Sequence, residues 1–125
     1  NFFGNIVTTN LVLFLDASNT MSYPGSGTTW TDISGQGNNG TLTNGPTFDS
    51  GNGGSIVFDG TNDYVSETSG LSDSFLQGNW TISFWVNFDQ LSTSTLGPND
   101  RILLHHGSAT NNGGLHLVQR NSKLH

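Results

Sequence analysis

Thr28–Val65 reads TTWTDISGQGNNGTLTNGPTFDSGNGGSIVFDGTNDYV and carries most of the information that decides the fold. Its first part, from Trp30 to Gly40, is rich in Asp, Asn and Gly, which cap turns with their side chains or adopt positive φ. Short apolar runs follow this turn. They predict strands at 40–43, 55–59 and 63–66, with an exposed loop at 47–54.

Two runs outside this stretch have stronger strand patterns. Leu11–Leu15 is apolar on both faces, as in a central strand covered on each side. Trp80–Phe88 alternates apolar and polar residues with a period of two, as in a strand with one buried face. The apolar positions of that run that we expect to form the core with Leu13 are Ile82, Phe84 and Val86.

The last part of the chain predicts a β-hairpin. Arg101–His106 and Gly114–Arg120 flank a turn of Asn and Gly residues at 111–114. Apart from one helical turn near 72–76, no helix is expected. Eight or nine short strands separated by turns favour an all-β fold, an antiparallel two-sheet sandwich, in a single domain over 1–125.

Composition narrows the classes of partner. Nine acidic and three basic residues give a net charge of −6, so the chain lacks the basic patch that nucleic acid requires. The absence of cysteine excludes disulfides and thiolate metal sites. No apolar run has the length of a bilayer span, so membrane insertion is not expected. Calcium ions and neutral glycans fit the charge better.

The order of motifs in the opening stretch resembles one known family. A Trp30-x-Asp32-x-Ser-Gly-x-Gly-Asn-x-Gly turn is followed by an apolar triplet that ends on Phe58-Asp59-Gly60, and then by Asp63-Tyr64-Val65. This order is similar to laminin-G-like modules of the concanavalin A-like lectin and glucanase superfamily, especially those of bacteriophage structural proteins and bacterial surface proteins. The resemblance covers about positions 5–120 and implies a jelly-roll sandwich.

The resemblance also implies that the C-terminal strands of the family are missing, with Lys123-Leu124-His125 resembling the start of the first of them. Two explanations remain open. The sequence is part of a longer chain, or neighbouring subunits supply the missing strands. In the second case residues 1–9 could act as an N-terminal arm that is donated to a neighbour. Their simpler interpretation is an ordinary first strand.

No catalytic residue is predicted. Glycoside hydrolysis uses paired carboxylates, and the Glu-x-Asp-x-x-Glu pattern of the catalytic branch of the superfamily is absent. Glu67 is the only glutamate, and there is no Gly-x-Ser-x-Gly nucleophile elbow. A fragment of a glycoside hydrolase is the less favoured alternative.

A structural calcium ion is predicted at the turn that contains Asp32. Carboxylate, amide and backbone oxygens are the ligands that calcium prefers, and the turn offers Asp32 and Asn38. The resemblance suggests Asp59 as their companion across the edge of the sheet. The alternative interpretation is that Asp32 and Asn38 cap the backbone N–H groups of their own turn.

Glycan binding is predicted from aromatic residues beside polar ones. Trp85 is the sharpest candidate, because it lies on the polar face of its run between Ser83 and Asn87. Its alternative is burial in a second layer. The complete set of candidate glycan-binding residues is Trp85, Tyr64, Tyr23 and Asn87, whereas Trp80 and Trp30 are interpreted as packing residues.

The histidines are interpreted as surface or packing residues. Adjacent residues of a strand point to opposite faces, so only one of His105 and His106 can pair with His116 across the hairpin. Two imidazoles without an acid make a poor metal site.

The resemblance implies a non-catalytic, lectin-like surface module of a bacteriophage structural protein, such as a capsid decoration or tail appendage protein, and the acidic charge and the lack of cysteine agree with it. Its expected location is the virion surface or the extracellular cell surface. Its expected partners are other structural subunits and cell-surface glycans. A bacterial cell-surface adhesin module and a purely architectural assembly element are the alternatives.

Overall fold

A computed structural model describes residues 7–67, 71, 77–88, 101–107, 114–120 and 123–124. Within these residues the secondary structure is almost entirely strand, arranged in small antiparallel sheets. The prediction of an all-β chain is therefore confirmed. No helix in the described part of the chain has the length and apolar character to cross a membrane.

The chain forms two compact units, Asn1–Ser72 and Asp73–His125. Strands of the first unit are β1 (Thr29–Trp30), β2 (Gly40–Thr43), β3 (Thr47–Asp49), β4 (Ser55–Val57) and β5 (Tyr64–Glu67). They form a three-stranded sheet of order β1-β2-β5 and a separate hairpin, β3-β4. Along the chain, this hairpin lies between β2 and β5, which are paired with each other. The strands predicted at 40–43, 55–59 and 63–66 are confirmed, with ends that shift by one or two residues.

The predicted exposed loop at 47–54 is wrong. Thr47–Asp49 pairs with Ser55–Val57, and the two strands are joined by a 3-10 turn at Gly51–Gly53. Asn52, Gly53 and Gly54 have φ values of 53°, 96° and 118°, so the chain reverses through left-handed backbone. Glycine tolerates such backbone at no steric cost, and Phe48 gives the hairpin an apolar anchor that the polar composition of the loop concealed.

The second unit contains the predicted hairpin. Its strands are β6 (Arg101–Gly107), β7 (Gly114–Arg120) and β8 (Lys123–Leu124), in the order β6-β7-β8. Both hairpin strands agree with the sequence prediction, and β8 begins where the sequence suggested a further strand. The predicted helical turn at 72–76, the turn residues 111–113 and the first six residues of the proposed arm lie outside the described residues.

Leu11–Leu15 is not a strand, contrary to the sequence prediction. The N–H of Phe14 donates to Asp32 Oδ1 at 2.9 Å, and its C=O accepts from the N–H of Ile33 at 3.0 Å. The C=O of Val12 accepts from Asn38 Nδ2 at 2.7 Å. Backbone groups of this segment are therefore satisfied by a distant turn and its side chains. These hydrogen bonds replace the strand ladder that the apolar pattern of Leu11–Leu15 predicted.

Trp80–Phe88 is not a strand either. A strand requires a neighbour for its backbone N–H and C=O groups, and the structure pairs this run with no other described segment. Phe84 and Val86 are 42% and 46% exposed, and Ile82 is partly exposed. The prediction that these side chains form the centre of the core is wrong for the described structure.

The core of the first unit is small. Among the described residues, the buried apolar side chains are Tyr23 and Leu42. Leu42 lies opposite Val65 in the β2-β5 ladder. A Cβ at Gly40 would lie 2.7 Å from Val65 Cγ1, so only glycine permits this close approach of β2 and the side chains around it. Tyr23 packs on Phe48 with ring centroids 5.5 Å apart.

Candidate functional site

The Asp32 turn is the best-defined polar centre in the first unit. Asp32 is only 6% exposed, and both oxygens of its carboxylate accept hydrogen bonds. Oδ1 accepts from the backbone N–H groups of Phe14 (2.9 Å) and Ser34 (2.8 Å). Oδ2 accepts from the hydroxyl of Ser34 (2.7 Å) and the N–H of Asn38 (3.0 Å). One carboxylate thus holds three separate points of the backbone.

The same turn is fixed from its other side. The N–H of Asp32 donates to Asn39 Oδ1 at 2.9 Å. Gly35 and Gly37 have φ values of 90° and 79°, which lets the chain fold around the carboxylate. Asn38 does not cap its own turn with its side chain, because its amide donates to Val12 instead. The turn and the segment at 12–14 are therefore a single hydrogen-bonded unit.

These contacts control the ionisation of Asp32. Burial alone would raise the pKa of its carboxyl. Hydrogen bonds from Phe14, Ser34 and Asn38 stabilise the charged form and lower that pKa below its ordinary value. The carboxylate of Asp32 is therefore anionic in the folded protein near neutral pH, and N–H and O–H dipoles stabilise its negative charge.

Ser22 is a second polar centre, and the sequence analysis missed it. Its side chain is fully buried. The hydroxyl accepts from the N–H of Asp16 (3.0 Å) and donates to the C=O of Thr31 (2.6 Å), while the N–H of Thr31 donates to the C=O of Ser22 (2.8 Å). Nothing in the local sequence marks this serine, because the groups that it joins are six and nine residues away.

Every acidic residue in the described part of the chain accepts a backbone N–H. Asp16 accepts from Ser18, Asp49 from Gly51, and Asp59 from Thr61, in each case two residues ahead as in an Asx-turn. The others are Asp32, Asp63, which accepts from Asp59, and Glu67, which accepts from Leu71. An Asp-x-Ser, Asp-x-Thr or Asp-x-Gly spacing in the sequence is the signal that could have identified the turns.

The predicted calcium ligands all take part in hydrogen bonds. Asp59 is exposed, and its carboxylate bonds stay within its own loop, to the N–H groups of Thr61 and Asn62 at 2.7 and 3.3 Å. The Thr61 N–H is the main cause that lowers the pKa of this carboxyl. At Asp32, four N–H and O–H groups point at the oxygens that a cation would need. No group of three or more His, Cys, Asp or Glu side chains that could hold a metal occurs among the described residues. These hydrogen bonds are those of turn capping, and the calcium site stays a prediction.

The predicted glycan residues have contrasting environments. Trp85 is fully exposed, and Asn87 beside it is also exposed. Tyr64, on β5, is 50% exposed. Tyr23 is 3% exposed, and its hydroxyl donates to the C=O of Gly27 at 2.8 Å, so it supports a loop and offers no free ring face. Tyr23 and Tyr64 belong to the first unit, and Trp85 and Asn87 to the second.

Trp80 departs from the packing role predicted for it, whereas the burial of Trp30 agrees with that role. Trp80 is 44% exposed. Trp30 is largely buried in β1, and its Nε1 is buried without a hydrogen-bond partner among the described residues. Asp16 Oδ2 is likewise buried without a hydrogen-bond partner among the described residues. An unpaired buried donor or acceptor costs stability, so these two atoms mark the least satisfied polar positions of the first unit.

Two acidic residues lie at the ends of β5. Asp63 precedes Glu67 by four residues, and the position midway between them is Val65. Both carboxylates hold backbone N–H groups, those of Asp59 (3.0 Å) and Leu71 (3.1 Å). These contacts give the pair a role in shaping the ends of β5.

The hairpin register places the histidines as the sequence analysis predicted. His105 lies directly opposite His116, whereas His106 lies opposite Leu115. Only one of the two adjacent histidines therefore shares a ladder position with His116.

Comparisons of the chain with models of protein families, with curated proteins and with solved structures find no match. The laminin-G-like resemblance therefore stays a prediction that rests on the motifs at 30–65.

Proposed function

We propose that this chain is a non-catalytic, lectin-like surface module that binds carbohydrate through Trp85. The observation that carries the proposal is the complete exposure of the Trp85 side chain. A large aromatic ring in water is unfavourable unless a ligand covers it. Sugars present apolar C–H faces to such rings and hydrogen-bond to amides, and Asn87 supplies an exposed amide nearby on the same run.

The wider context is part of the same proposal. A jelly-roll sandwich of the laminin-G-like type accounts for the order of motifs at 30–65, and the small antiparallel sheets are compatible with it. The proposed setting is the surface of a bacteriophage particle, in a capsid decoration or tail appendage protein, with a bacterial adhesin as the alternative. The acidic charge and the lack of cysteine agree with both settings.

A glycan array followed by calorimetry with the best glycan tests this function. Trp85→Ala should weaken binding at least about tenfold, which corresponds to about 1.4 kcal/mol of lost contact. Trp80→Ala is the matched control, because it removes the same ring from a half-exposed site five residues away and should leave affinity unchanged. Both variants should melt close to the parent chain. The proposal would be contradicted if the parent chain bound no glycan on the array, or if the two variants lost the same amount of affinity.

A second candidate function is assembly through strand addition. The run 80–88 keeps the period-two pattern of a strand, lacks a described neighbour, and exposes Phe84 and Val86. An added strand from another subunit would satisfy its backbone and cover these side chains. Sedimentation over a hundredfold range of concentration tests it. Association that Val86→Lys weakens would support this function, whereas a monomer at all concentrations would contradict it.

A further inference from the structure

Three Asn-Gly dipeptides lie within the described residues, and each has a different environment. They are Asn39-Gly40, Asn44-Gly45 and Asn52-Gly53. In such a dipeptide the backbone nitrogen of the glycine can attack the side-chain carbonyl carbon, Cγ, of the asparagine, because glycine has no Cβ that would obstruct ring closure. The reaction requires that the amide can turn toward the following nitrogen and that the backbone between them can rotate.

Two of the three asparagine amides are held by hydrogen bonds. Asn39 Oδ1 accepts the N–H of Asp32 at 2.9 Å, and the following residue, Gly40, is buried in β2 between β1 and β5. Asn44 is exposed, but its Nδ2 donates to the C=O of Asn62 at 2.7 Å. Ring closure at either asparagine therefore requires that its hydrogen bond breaks first, and at Asn39 the β2 ladder must open as well.

Asn52 has neither restraint. It is exposed in the turn of the β3-β4 hairpin, and its amide makes no hydrogen bond with the part of the chain that the structure describes. The turn at Gly51–Gly53 buries no residue. The hydrogen bond that closes the turn, from the N–H of Gly54 to the C=O of Gly51 at 3.0 Å, uses no group of Asn52. Asn52 has a φ of 53° and a ψ of 28°, a left-handed backbone that is uncommon for residues other than glycine. Rotation of this backbone therefore displaces no buried side chain.

We propose that Asn52 is a site of spontaneous deamidation. The nitrogen of Gly53 loses its proton and bonds to Cγ of Asn52, the Cγ–Nδ2 bond breaks, and the amide nitrogen leaves as ammonia. Water then opens the resulting succinimide ring. Cleavage between Cγ and the nitrogen gives aspartate, and cleavage between the backbone carbonyl carbon and the nitrogen gives isoaspartate. One water is consumed, one ammonia is released, and the net charge of −6 becomes more negative by one. Isoaspartate also adds a backbone carbon to the turn that joins β3 to β4.

Timed incubation of the full chain in mildly alkaline buffer, with and without urea, tests the site. Samples are digested with pepsin, and the conversion of each amide to an acid is measured by mass spectrometry. Pepsin works in acid, where the reaction is slow, and it cuts beside large apolar residues. Three of these separate the three dipeptides from one another: Leu42, Phe48 and Phe58. Urea removes the fold and leaves the dipeptides, so the ratio of the native rate to the unfolded rate measures what the structure contributes at each asparagine.

We expect the native rate at Asn52 to lie within about threefold of its rate in urea, and the native rate at Asn39 to lie at least about tenfold below its own, which corresponds to about 1.4 kcal/mol of added barrier. The ratio at Asn44 should fall between these two. Absence of conversion at Asn52, or a ratio there no higher than those at Asn44 and Asn39, would overturn the proposal.

Isoelectric focusing of the intact chain gives a second readout. The first acidic species that forms from the parent should be missing in Asn52→Gln, because the longer side chain of glutamine closes a ring with the next nitrogen much less readily. Formation of that species at the parent rate in Asn52→Gln would overturn the assignment.

Discussion

Removal of the Asp32 carboxylate should cost this protein a large part of its stability. In Asp32→Ala, the N–H groups of Phe14, Ser34 and Asn38 lose their acceptor at a position that is only 6% exposed. Each unpaired buried donor costs about 1–3 kcal/mol. Because water can reach part of the opened turn, we expect the free energy of unfolding to fall by about 3–5 kcal/mol in total. The total free energy of unfolding of a small domain is about 5–15 kcal/mol.

Urea unfolding at pH 7, followed by tryptophan fluorescence, measures this loss as a lower midpoint with an unchanged slope. Asp59→Ala is the matched control. It removes the same side chain from an Asx-turn of similar hydrogen-bond lengths, but Asp59 is exposed and water can replace it. The control should therefore lose much less stability than Asp32→Ala. A loss below about 1 kcal/mol for Asp32→Ala, or equal losses in the two variants, would refute the claim that burial makes this carboxylate important.

Four further predictions concern residues of the first unit. Ser22→Ala should lower the unfolding free energy by about 1–3 kcal/mol, because the N–H of Asp16 and the C=O of Thr31 become unpaired; a change below about 0.5 kcal/mol in urea unfolding would contradict this. Trp30→Phe should change stability by less than about 1 kcal/mol, since it also removes an unpaired indole N–H, whereas Trp30→Ala should lose more than about 2 kcal/mol. The pKa of Asp32 is lower in the folded than in the unfolded chain, so its stabilisation is present above about pH 4 and is lost as the pH falls through the folded value; Asp32→Asn should flatten this part of the stability profile in acid titration. The melting temperature should be the same within about 1 °C in calcium and in chelator, because the carboxylate oxygens of Asp32 already accept hydrogen bonds from N–H and O–H groups; a calcium-dependent rise of several degrees would contradict this prediction.

The sequence predicted the elements whose cause is local. The β6-β7 hairpin was found because its strand residues and its Asn-Gly turn are adjacent in the chain, and the ladder pairing of His105 with His116 followed from strand alternation. The alternative interpretation of Asp32, as a cap of its own turn, was also available, since Ser34 lies two residues away. The β3-β4 hairpin was missed because a Gly-rich polar stretch has the same composition whether it is an open loop or a tight reversal.

Periodicity failed where the outcome depended on distant partners. Leu11–Leu15 has the composition of a central strand, but Phe14 finds its partner 18 residues away in a carboxylate. Trp80–Phe88 has a clean alternation, yet alternation describes only the side chains of a strand. The backbone also needs a neighbour, and no residue within the run can provide it.

The order of residues by itself determined that this chain is built from strands and capped turns, because the φ preference of glycine and the reach of an aspartate to the second residue ahead act over a few bonds. Tertiary structure alone decided that Ser22 is buried, that Tyr23 is enclosed while Trp85 is open to solvent, and that Asp32 joins the turn to residues 12–14. Burial and cross-chain hydrogen bonding depend on groups that are far apart in sequence, and no local pattern specifies which of them will meet.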